Sequence, residues 1–264
     1  MIRFVDNEDL RNEYFSACDF DNVYGTINAF LYRIHSQSQT GLFWNIYDLD
    51  ESLCGNLCFV NDAFNLCIKA EKDIEEIAQF INFWGNFGFI NYNKCNAENL
   101  DTLISTPTNM ASGKILTSIK HKDATSIPYG ICKDIDLYDA FCIFKESFPE
   151  KIGMLNFSDF NYDMNHRIRR CESSIYGVKN DGALISALEI MCHSPKNIII
   201  GCLSTKKEYR NLGYASSLLK SVSKEFSGKS LYIFADNEKV ENFYKKIGFK
   251  EYAVWTQLTA TRKD

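Results

Sequence analysis

The chain has 264 residues and a mass of 30.3 kDa; 45% of the residues are hydrophobic, 24% are charged, and the formal net charge is −5 at an isoelectric point near 5.5. That composition fits an ordinary globular protein with ample core and excludes collagen-like, low-complexity and disordered chains. With no basic run interleaved with aromatics and no apolar stretch long enough to cross a bilayer, neither a nucleic acid nor a membrane is an expected partner.

The opening Met1-Ile-Arg-Phe-Val-Asp-Asn-Glu-Asp carries no secretory pattern, so a cytoplasmic location is expected. Ten cysteines are scattered along the chain, and only Cys54 and Cys58 stand close, at a C-x3-C spacing without a second pair. Reduced thiols, and no metal, are the expected reading. Charge is uneven: residues 1–130 hold nine Lys and Arg against seventeen Asp and Glu, a net of −8, whereas residues 131–264 carry +3. An anionic cofactor docks more readily on the second half.

In chain order, residues 6–19 and 22–35 read as helices. Residues 53–60 and 64–70 read as a strand pair turning at Asn61-Asp62. Ile74, Ile77, Ala78, Phe80 and Ile81 give residues 72–83 one apolar helical face. Strand, helix and strand follow at 87–91, 97–104 and 114–119. The loop at 69–75 has no glycine and several carboxylates, which would repel a phosphate. Residues 121–130 are polar and read as a linker, dividing the chain into domains 1–125 and 131–264.

In the second domain, residues 135–148 and 157–171 are predicted helices. A hairpin follows at 174–179 and 183–192, with Asn180-Asp181-Gly182 supplying the turn. Residues 198–203 form a short buried strand. Arg210, Gly213 and Ala215 then fit the pattern [Gln/Arg]-x-x-Gly-x-[Gly/Ala] where loop becomes helix. Such a helix start presents N–H groups and a partial positive charge, so a pyrophosphate can dock there. Gly213 lets the backbone approach the oxygens because it has no Cβ. Ala215, Leu218, Leu219, Val222 and Phe226 continue the helix, Gly228 stops it, and residues 231–235 make another strand. Asp236-Asn237 is placed to cap a last helix, with Val240, Phe243, Tyr244 and Ile247 on one face and Gly248 at its end.

This succession, ending in Asn237-x5-Phe243-Tyr244-x3-Gly248-Phe249, resembles the acyl-CoA core of the GNAT superfamily of N-acetyltransferases. His166-Arg-Ile-Arg169 and the hairpin after it are similar to that core's substrate-side helix and first strands. One departure is Lys207, where many relatives carry a proline. The resemblance implies a mixed α/β sheet flanked by helices, and the first half reads as a degenerate second copy or another α/β domain. It also implies acetyl-CoA as cosubstrate, held by Leu203, Ser204, Thr205, Arg210, Asn211, Leu212, Gly213, Tyr214, Ala215 and Asn237. Leu203 and Thr205 would orient the pantetheine arm through their main chain, with Ser204 pointing to the other face.

Tyr244 is the implied general acid, with packing as its alternative role. Glu189 or His193 is a candidate base, or the amine arrives neutral and needs none. Arg167 and Arg169 either recognise an acidic group on the acceptor or form a solvated face. The expected activity is acetyl transfer to a primary amine, on a small molecule, by direct attack in a ternary complex. A CoA-responsive binding protein and a protein N-acetyltransferase are the alternatives, and the oligomeric state is left open.

Overall fold

Two crossovers of the same kind shape the protein, each a strand pair followed by a helix and a parallel return strand. The structure, a computed structural model, describes residues 1–37, 40–69, 74–118, 130–149 and 155–261. The first part of the chain contains β1 (Ile2–Phe4), α1 (Glu8–Ala17), α2 (Tyr24–His35), β2 (Gly41–Tyr47), β3 (Leu53–Val60), β4 (Ala63–Ile68), α3 (Glu75–Trp84), β5 (Phe89–Asn93), the single turn α4 (Leu100–Leu103) and β6 (Thr108–Ser118). Next come β7 (Ile131–Cys132), α5 (Leu137–Ser147), α6 (Phe157–Arg169), β8 (Ser174–Asn180) and β9 (Ala183–His193). The chain closes with β10 (Asn197–Thr205), α7 (Tyr214–Glu225), β11 (Ser230–Ala235), α8 (Glu238–Lys246) and β12 (Lys250–Ala260).

Local chemistry sets many of these boundaries. Asp136 accepts from the N–H of Tyr138 and Asp139 and so starts α5; Asn156 accepts from Asp159 and starts α6. Two of the hairpins turn through two residues with positive φ, Asn61-Asp62 between β3 and β4 and Asp181-Gly182 between β8 and β9. That is the twist-matched turn that short polar residues and glycine tolerate.

The chain divides into two compact units. One comprises Met1–Leu116, Phe234–Lys245 and Lys250–Asp264; the other comprises Thr117–Ile233 and Lys246–Phe249. This differs from the expected division into 1–125 and 131–264, because the last strand, β12, pairs antiparallel with β5 in the first unit. Strand order in that unit is β1-β2-β3-β4-β5-β12-β6. Leu258 of β12 is fully buried in the same core as Leu57, Phe64, Ile77, Ile81 and Ile90. Burying such a side chain is worth about 1.5–3 kcal/mol. In the second unit the order is β11-β10-β9-β8-β7, and α5 and α6 cover one face through Phe141, Phe144, Phe160 and Met164.

Several expectations shift. Residues 41–47 carry no predicted element and form β2, whose last five residues are all buried, so no alternation marks it. The helix expected at 97–104 shrinks to the single turn α4, and the strand expected at 114–119 is the longer β6. The linker at 121–130 and the acidic loop at 69–75 fall mostly outside the described residues, at 121–129 and 70–73.

Candidate active site

In the second unit, β10 pairs antiparallel with β9 along its length but parallel with β11 only from Asn197 to Ile200. Past Ile200 the register with β9 also shifts, around Gly201 and Cys202. Beyond that shift Leu203 to Thr205 are paired with β9 on one side and have left β11 on the other. Lys206 N–H donates to Ile185 O, and Ser186 Oγ donates to Ser204 O. Because main-chain groups alternate sides along a strand, those of Leu203 and Thr205 point to the edge that β11 has left. The Ser204 hydroxyl is buried without a hydrogen-bond partner, while Thr205 Oγ1 meets Ser186 Oγ at 2.9 Å.

The chain then makes a short turn at Lys207–Tyr209 and enters α7 through Asn211 (φ 63°) and Gly213 (φ 87°). A Cβ placed on Gly213 would meet nothing within 4 Å, so the approach to this residue is open. α7 begins without a side-chain cap and without an acidic residue in its first turn. Asn211 and Leu212 are exposed with Gly213, while Tyr214 and Ala215 are half-buried. Main-chain donors at an uncapped helix start, beside a left-handed glycine, suit an anion. The donor set thus fits the phosphates and pantetheine of coenzyme A. Arg210, though exposed, bonds protein partners: Nε donates to Thr205 O at 2.9 Å, and Nη2 approaches Ser147 Oγ at 3.3 Å and Glu146 at 3.5 Å. Its side chain ties the loop to the end of β10 and to α5.

Glu189 of β9 is buried beside that departure point. Burial raises its pKa above the usual carboxylate value; the nearby Arg167 charge and the Cys202 thiol oppose that rise, and Asp163 adds to it. Arg167 Nη1 lies 3.4 Å from Glu189 Oε1, and its Nη2 bonds Asp163 one turn back on α6. Arg167 is thus committed to two carboxylates, whereas Arg169 is exposed at the helix end. His193 sits at the other end of β9, its Nε2 2.8 Å from Cys171 O. Asn237 accepts from Val240 N–H at 3.0 Å and caps α8, on which Tyr244 is buried with its ring 5.1 Å from that of Phe243. Sequence reasoning missed Asp163, Gly201 and Cys202. The i,i+4 spacing of Asp163 and Arg167, and a glycine inside an apolar strand, are the signals that point to them.

Among the described residues no group of three His, Cys, Asp or Glu is arranged to hold a metal ion, and no helix is long and apolar enough to cross a membrane.

Residues 175–258 match the family described as FR47-like protein. No curated protein sequence matches the chain. Solved structures do. A GNAT-family acetyltransferase from Colwellia psychrerythraea is 15% identical, with 99% of this chain and all of that chain covered and a TM-score of 0.62. A tandem GNAT protein from the clavulanic acid biosynthesis pathway is 12% identical, with both chains fully covered and a TM-score of 0.60. A GCN5-related N-acetyltransferase from Kribbella flavida is 7% identical over 94% of this chain and 96% of that one, with a TM-score of 0.59. The chain therefore has the GNAT fold, a mixed α/β sheet flanked by helices, consistent with two tandem GNAT-like domains.

Proposed function

We propose that this protein is an N-acetyltransferase that moves the acetyl group of acetyl-CoA to a primary amine on a small molecule. The observation that carries the reading is the separation of β10 from β11 beyond Ile200, next to the uncapped start of α7. Acetyl-CoA lies with its pantetheine arm along the open edge of β10, bonded to the main chain of Leu203 and Thr205. Its diphosphate takes the main-chain donors from Asn211 to Ala215. The structures that share this fold include proteins described as acetyltransferases, which supports the same chemistry here.

The acceptor nitrogen attacks the thioester carbonyl directly, and the collapsing intermediate expels the coenzyme A thiolate. Tyr244 donates a proton to that sulfur, and Glu189 takes one from the amine. Arg169, exposed at the end of α6, faces the acceptor's solvent side. The location in this reading is the cytoplasm.

Free-thiol release from acetyl-CoA across a panel of small primary amines tests the proposal. Turnover is expected with at least one amine, and Tyr244→Phe should lower kcat by about 10²–10⁴-fold while coenzyme A binding persists. Calorimetry that detects no binding of coenzyme A to folded protein would end the reading.

A further inference from the structure

The two oxygens of Glu189 have different neighbours. Oε1 faces Arg167, at 3.4 Å. Oε2 lies over Gly201 of β10, so near that a Cβ at this position would stand 2.8 Å from it and 3.1 Å from Met191 Cβ. Gly201 is exposed and is the first residue of β10 after the pairing with β11 ends. Any side chain at position 201 would press on the Glu189 carboxylate and displace it from its place over β10. The titratable and charged groups facing Glu189 are Arg167 and Asp163 from α6 and Cys202 from β10, while Cys192 of β9 adds its field at Arg167.

We infer that Arg167 is a positioning residue, gripping Glu189 by one oxygen so that the other, passing across Gly201, meets the acceptor nitrogen. The inference rests on the acetyltransferase reading and deepens it. A carboxylate buried alone is driven to its neutral form, which cannot accept a proton; a guanidinium beside it preserves the anion. Asp163 holds the guanidinium's other branch, so Arg167 stays in place when the acceptor enters.

In the step this arrangement serves, an N–H bond of the acceptor ammonium breaks and the proton passes to Glu189 Oε2. The freed lone pair forms the bond to the acetyl carbon. The carbon–sulfur bond then breaks and its electron pair leaves on sulfur, which takes a proton from Tyr244; the nitrogen's second proton passes to water, and Tyr244 recovers one from water. Glu189 afterwards returns its proton to water.

The experiment is the pH profile of kcat/KM for an accepted amine, followed by thiol release, in wild type, Arg167→Gln, Arg167→Lys, Gly201→Ala and Glu189→Gln. Arg167→Gln should move the acidic limb upward by roughly one pH unit or more, about a tenfold loss of rate below the limb. Arg167→Lys should return the limb most of the way. Gly201→Ala should lower kcat while leaving KM for acetyl-CoA unchanged. In the Glu189→Gln background, Arg167→Gln should shift nothing further; the amine's own titration is common to all variants and cancels.

An unmoved limb in folded Arg167→Gln, or a shift that persists without Glu189, overturns the positioning role while leaving the acetyltransferase reading intact. Should Arg167→Gln not fold, Gly201→Ala decides, and an unchanged kcat overturns the inference. A wild type that turns over no amine at all defeats the acetyltransferase reading, and the positioning role falls with it.

Discussion

The two crossovers, β3–β4–α3–β5 and β9–β10–α7–β11, share a connectivity and differ in what fills the place where the parallel strands end. In the second, β10 runs on for five residues after leaving β11. In the first, β4 pairs with β5 from Ala63 to Leu66, and the carbonyl of Ile68, its last residue, accepts from Asn96 Nδ2 at 2.9 Å. Asn93 and Asn96 both donate to Asp21 Oδ2, at 2.9 and 3.1 Å, while Asp21 Oδ1 receives the N–H of Val23 and Tyr24. Asp21 is buried, and side chains of the protein occupy the strand end that is open in the other unit. The helix starts differ in sign as well. α3 carries Glu75 and Glu76 in its first turn, and α7 carries no acid there. Negative charge at a helix start competes with an anionic ligand for the same dipole. One topology thus yields a self-satisfied unit and a receptive one through a handful of side chains.

The comparison is tested hardest at Asp21. Asp21→Ala leaves four N–H donors, three of them buried, without their acceptor, and a loss of roughly 3 kcal/mol in unfolding free energy is expected by urea titration. Calorimetry should return one coenzyme A per chain both before and after the substitution; two sites in either would break the contrast between the units. A smaller effect is expected from Gly213→Val. Its side chain has room, but φ of 87° is strained for a branched residue and its bulk fills the phosphate approach. Coenzyme A binding should weaken about 10- to 100-fold, with only a modest fall in melting temperature.

Smallest is a pH effect at Glu189, whose pKa in the fold is raised by burial above the ordinary value of 4.5. A raised folded pKa means that the stabilising contribution is complete below about pH 4.5 and is lost as pH climbs through the folded value. Glu189→Gln does not ionise, so its melting temperature relative to wild type should rise with pH from there and then level off. A difference that stays flat between pH 4 and 8 would show that Glu189 titrates normally.

What residue order determined by itself was mostly local. Asn61-Asp62 and Asp181-Gly182 need positive φ, Asp136 and Asn156 need a donor two or three residues on, and Gly213 needs a left-handed entry into α7; short side chains and glycine announce each. The GNAT fold was legible for the same reason, since its loop-to-helix junction is written in consecutive residues. β2 was not, because a strand buried almost throughout loses the alternation that marks a strand.

Tertiary structure alone decided three things. It sent β12 to pair with β5 rather than to close the unit it follows in sequence, a choice set by Leu258 finding the core of Phe64 and Ile90. It brought Arg210 to Glu146 and Arg167 to Glu189, partners far from them in sequence. It also released β10 from β11 after Ile200. Strand pairing and ion pairing join residues tens to more than a hundred positions apart, and a one-dimensional pattern carries no record of which partner arrives first or fits best.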